Sequence, residues 1–119
     1  MIGINSSVAI YLCTQPCDMR KSFNGLCGMV INSMDQNPES GEIYVFINRI
    51  CDKMKILFWD RNGFWLFYKR LEQGTFQIPA FTNHPGSSVS ISYDQLIMML
   101  EGIDMCSIKR RKRFTRATA

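Results

Sequence analysis

The feature that most constrains this chain is a hairpin signal near its middle. Two apolar, aromatic-rich runs, residues 54–59 (MKILFW) and 64–71 (FWLFYKRL), flank Asp60-Arg61-Asn62-Gly63. Asn-Gly between two such runs is the strongest short-range indication of a β-hairpin. The register stays open. A two-residue turn at Asn62-Gly63 pairs Lys55 with Arg70. A type I turn with a Gly63 bulge pairs Lys55 with Lys69 and Trp59 with Trp65. Either arrangement sets two cations opposite each other, which destabilises a sheet unless an anion or an acidic partner relieves them.

The flanking segments supply the rest of a sheet and two helices. Residues 42–48 (EIYVFIN) are apolar on both alternating sets, as in a central strand. Residues 8–13 (VAIYLC) predict a short buried strand, and 75–78 and 89–91 two more. Asp18 is placed to cap a helix over about 19–34, whose apolar stripe is Met19, Phe23, Leu26, Cys27, Val30, Ile31 and Met34. Gly25 and Gly28 inside it cost about 1 kcal/mol each relative to Ala, so a close neighbour or a partner is expected there. Ser92 with Gln95 predicts a capping box opening a helix over about 93–101, with Gly102 as its stop. The order implies an α+β fold, a mainly antiparallel sheet of four to six strands with an early and a C-terminal helix. A crossover through the first helix would set the first strand parallel to a neighbour. Residues 1–105 are expected to form one globular domain. Residues 106–119 are expected to be a mobile basic tail, having no apolar periodicity.

Composition narrows the function. With 119 residues, 46% of them hydrophobic, the chain has the size of one globular domain. Its longest apolar run is six residues, against about 20 for a membrane span. The start MIGINSSV lacks a secretory pattern, so the expected location is the cytoplasm, nucleoid-associated if DNA is bound. Five irregularly spaced cysteines and one histidine, His84, do not make a zinc pattern; the cysteines read as small hydrophobes, and no metal or cofactor is expected. Nucleotidyl transfer needs carboxylates converging on metal ions, and the ten acidic residues are scattered. No nucleophile elbow, phosphate loop or dinucleotide fingerprint is present. The chain is therefore expected not to be an enzyme.

Charge points instead to polyanions. Net charge is +4, with six of the 14 basic residues in the tail after residue 108 and ten acidic residues before it. The body is mildly acidic. Lys109, Arg110, Arg111, Lys112 and Arg113 form a basic arm whose phosphate contacts would be salt-sensitive, and Phe114 could stack on a base. Arg20 and Lys21 follow Asp18 in what reads as a first helical turn, where a phosphate would also meet free backbone N–H groups. A third cluster, Arg49, Lys53, Lys55, Arg61, Lys69 and Arg70, is interleaved with aromatics. Most of those aromatics are expected in the core; Trp59 and Trp65, nearest the turn, are the candidates for a partner contact.

The strings DMRKSFNGL, YVFINR, KMKILFWDRNGFWLFYKRLEQGTFQIP and QLIMMLEGID, in that order, resemble the small accessory protein (TnpB or Orf2) of the insertion-sequence-sixty-six transposon family. The resemblance runs from about residue 8 to 104. It implies a bacterial factor encoded beside a transposase and needed for transposition, with no established enzymatic activity. Two functions then stand. The first is binding DNA at the element through the cation clusters. The second is docking on the transposase or another protein of the element, without direct DNA contact, through exposed aromatics.

Overall fold

The computed structural model describes residues 7–79, 86–104 and 109–110. The arm residues Arg111, Lys112 and Arg113, with His84 and Phe114, lie outside them.

Five strands form one sheet: β1 (Ile10–Cys13), β2 (Ile43–Ile47), β3 (Lys53–Asp60), β4 (Gly63–Arg70) and β5 (Ser88–Ile91). Their order is β4-β3-β2-β1-β5. β1 runs parallel to β2, with Ile10 beside Ile43, and every other pairing in the sheet is antiparallel. The parallel pair follows from the crossover through helix α1 (Phe23–Asn32). Helix α2 (Tyr93–Glu101) follows β5. A short ladder, β6 (Ile103–Asp104) with β7 (Lys109–Arg110), follows α2, so the backbone at the start of the basic segment is paired.

Each helix covers one face. On one side Leu26 and Val30 of α1 pack on Tyr44, Phe46 and Leu57. On the other, Leu96 and Met99 of α2 pack on Ile43, Val45, Ile47, Met54, Ile56 and Phe58. All five β2 residues are buried, because a central strand between two helical layers has no solvated face. That is why residues 42–48 lack polar alternation.

α2 begins and ends as its sequence predicts. The Ser92 hydroxyl accepts from the Gln95 N–H, the Ser92 N–H donates to the Gln95 side-chain oxygen, and Gly102 takes a left-handed conformation at φ 75°. α1 departs from expectation. It starts at Phe23, with Ser22 at the N-cap position making no side-chain cap bond. Asp18 does not cap it. Its carboxylate accepts from the Arg20 backbone N–H at 2.9 Å and from the Arg20 guanidinium, closing a local turn that holds residues 18–20 out of the helix. Gly25 explains itself: a Cβ there would meet the Lys21 side chain at 3.1 Å. Gly28 has open space around it.

The hairpin is present, with a third register. The turn residues are Arg61 and Asn62, so Asp60 pairs with Gly63 and Lys55 with Tyr68. Arg61 takes a positive φ of 55°, and the Asn62 N–H bonds back to the Asp60 carbonyl. Relative to a turn at Asn62-Gly63, the strands slide by two residues without changing faces. The slide replaces the Lys55/Arg70 opposition with a cation over an aromatic ring. Like charges do meet at Lys53/Arg70, but each there has an acid beside it, Asp52 and Glu72. Residues 75–78 are not a strand. Phe76 is inserted into the core at 2% exposure, and its N–H donates to the Cys51 carbonyl at 2.7 Å.

Candidate nucleic-acid interface

Lys55 is the most informative of the predicted contact residues, because it does not face solvent. It is 5% exposed, the one charged residue in the core among those described. Its Nζ donates to the carbonyls of Met19 at 2.7 Å and Lys21 at 2.6 Å. The Tyr68 ring lies over it, 4.6 Å from Nζ to the centroid. A buried ammonium is tolerated only when its donors are satisfied, and here the backbone does this. The side chain pins the 18–21 loop to the sheet.

Pinning that loop builds a groove. The 14–17 segment is tied to β2 by the Cys17 N–H on the Ile47 carbonyl, 2.9 Å. Next to it, residues 48–53 fold around Asn48, whose side-chain oxygen accepts from the N–H groups of Asp52 and Lys53, both at 3.0 Å. Its amide donates to the Asp52 carboxylate at 2.7 Å, which holds that carboxyl below the usual range. Cys51, at φ 61°, turns the chain so that Arg49 and Ile50 stand at the tip. Between the two loops lies a groove of about 460 Å³, lined by Asp18, Arg20, Arg49, Ile50, Lys53 and Tyr68, among others. Three cations line it against one carboxylate.

The cations of the groove are differently committed. Arg20 pairs with Asp18 at 2.7 Å and is 92% exposed; the guanidinium bond holds the Asp18 carboxyl down at about 2. Lys53 reaches Asp52 at 3.4 Å. Arg49 has no ion pair among the described residues. Exposed pairs contribute about 0–1 kcal/mol, so the Arg20–Asp18 pair is a weak one.

The remaining predicted residues are scattered. Lys21 lies beside the groove, its stem against Gly25. Lys69 lies on the opposite face of the sheet and donates to the Leu100 carbonyl at 2.8 Å, capping the C-terminal end of α2. Arg70 is bonded to Glu72. Arg61 stands at the turn beside Asp60, 92% exposed. Lys109 and Arg110 are placed by their backbone only, in β7. The two tryptophans are separated: Trp59 packs edge-on against Phe64 on the α1 side. Trp65, on the α2 side, donates its indole N–H to Asp60 at 3.1 Å. They do not form one patch.

Sequence reasoning missed Asn48, Ile50 and Tyr68 as groove-builders. The signal for the loop was an Asn and an Asp four residues apart enclosing Arg49, Ile50 and Cys51. Among the described residues no three His, Cys, Asp or Glu side chains converge where a metal could sit, and no helix is long and apolar enough to cross a membrane. Cys13 and Cys17 are buried free thiols; burial, with Cys13 adjacent, pushes Cys17 up to about 11, so it stays protonated near neutrality.

Comparison with known proteins identifies the family. Residues 8–110 match the family described as IS66 Orf2 like protein. Two proteins of Sinorhizobium fredii are similar. The uncharacterized protein y4jC is 32% identical over 111 residues, covering 93% of this chain and 92% of its own. The uncharacterized protein y4hO is 34% identical over 104 residues, covering 87% and 88%. No solved structure matches. The chain belongs to the IS66 Orf2-like family, and is thus an insertion-sequence accessory protein.

Proposed function

We propose that this accessory protein assists transposition by holding the DNA phosphate backbone of its element in the groove between residues 18–21 and 48–53. The observation that carries the reading is the convergence of Arg20 from one loop with Arg49 and Lys53 from another on one surface with a single lining carboxylate. Both loops are pinned, one by Lys55 and one by Asn48, so the cations are positioned before a ligand arrives. Three phosphate contacts correspond to a loss of roughly 40-fold in affinity between 50 and 200 mM salt, at a slope of about −0.9 per phosphate.

The test is an anisotropy titration of labelled element-end DNA across that salt range. Wild type is compared with a variant in which Arg20, Arg49 and Lys53 are all Ala. The variant is expected to bind weakly and to lose about 2.7 from the salt slope. An unchanged slope would remove the groove from DNA contact.

A second reading is docking on the element's transposase. Ile50 at 64% exposure and Tyr68 at 54%, beside Arg20 and Arg49, support it, since aromatic and Arg side chains dominate protein hot spots. Absence of DNA binding at 50 mM salt, together with co-purification with the transposase that is lost in Ile50→Asp, would select it.

A further inference from the structure

The groove pairs its cations with an aromatic ring held in a particular way. Tyr68 is on β4, an edge strand of the sheet. One face of its ring is occupied by the Lys55 ammonium, which is itself fixed by two carbonyls. Tyr68 is 54% exposed although the Lys55 ammonium sits on its ring, and it lines the same groove as Arg20, Arg49 and Lys53, so we take the ring face away from Lys55 as the one a ligand meets. A ring pinned from beneath loses little further freedom when something stacks on it. The cation below also withdraws electron density from the ring, which favours stacking by an electron-rich π system.

Phosphates are available on duplex and single strands alike. A free base face is available only where bases are unstacked. Resting on the DNA-binding reading above, we propose that this groove takes single-stranded DNA, with phosphates on Arg20, Arg49 and Lys53 and one base stacked on the open face of Tyr68. Such a site acts where the element's ends are opened, not along intact duplex.

The test uses the full chain at 50 mM salt and three labelled 20-nucleotide probes: a single strand, its duplex, and a strand of the same length with abasic positions. The single strand is expected to bind about tenfold tighter than the duplex, because stacking one base on an aromatic ring contributes on that order. The abasic strand should fall to the duplex level. Tyr68→Ala should abolish the difference between intact and abasic strands, and Tyr68→Phe should keep it. Equal binding of all three probes, or a preference for intact strand that persists unchanged in Tyr68→Ala, would overturn the proposal while leaving DNA binding in place. No salt-dependent binding of any probe would remove the DNA reading itself. Equal binding of intact and abasic strands by wild type overturns the proposal without any variant, and Tyr68→Phe, which keeps the ring over Lys55, controls for a weakened fold in Tyr68→Ala.

Discussion

The two ends of the β3–β4 hairpin both carry basic and aromatic residues and differ in their properties. At the turn, Arg61 sits beside Asp60, the Trp65 indole is bonded to the same Asp60, and Trp59 is packed on Phe64. Charge and aromatic surface there are spent on one another. At the open end, Lys53 and Tyr68 meet Arg20 and Arg49 from two other segments, and Lys55 is buried beneath them as a fastener. Basic-aromatic content along a strand therefore does not define a binding surface. What matters is whether a second and third segment bring cations to the same side.

The comparison is broken most severely at Lys55. Lys55→Met leaves the carbonyls of Met19 and Lys21 without their donor, at a cost of about 3 kcal/mol. Thermal unfolding followed by circular dichroism should show a melting temperature lower by roughly 10 °C. An unchanged melting temperature would return Lys55 to the list of contact residues. The next effect separates the two ends directly. Arg49→Ala should reduce the salt slope of DNA binding by about 0.9, one phosphate contact, whereas Arg61→Ala at the turn should leave it unaltered. Equal losses from both would mean that the hairpin binds along its whole length.

Smaller effects sharpen the contrast. Trp65→Phe removes a neutral donor to a partly exposed carboxylate and should cost about 0.5–1 kcal/mol in denaturant unfolding, without change in DNA affinity. Arg61→Asn places a residue more tolerant of positive φ at the turn and should raise stability by about 0.5 kcal/mol, at most the cost of that conformation in an ordinary residue. The smallest effect concerns the groove rim. The Asp18 carboxyl, held at about 2 by its bonds from Arg20, has a depressed folded-state value. What it adds to stability is complete above the ordinary carboxylate range and is lost as pH falls toward 2. Carbon-detected NMR titration should find that midpoint and should find it moved up toward the ordinary value in Arg20→Ala.

Much of the fold was legible because its signals are local. The capping box at Ser92 and Gln95, the stop at Gly102 and the apolar run at 43–47 each act through neighbours in sequence or through simple burial. The start of α1 was misread because Asp18 has two local uses, as a helix cap or as an acceptor for Arg20, and the distant ammonium of Lys55 on the Met19 and Lys21 carbonyls favours the second. The hairpin register was misread for a related reason. Asn62-Gly63 specifies that a turn forms, but the two-residue slide that seats Lys55 under Tyr68 comes from contacts across the sheet.

By itself, then, the chain's sequence determined that a sheet with two helices would form, where that sheet's five strands and the second helix lie, and the family to which it belongs, while adding a strand at 75–78 that does not form. Only tertiary packing decided which cations share a surface. It buried one, turned another onto a helix end, and gathered three around a ring. Side-chain direction on a strand alternates with every residue, and loop cations acquire neighbours only when distant segments close on them, so proximity in sequence could not supply that sorting.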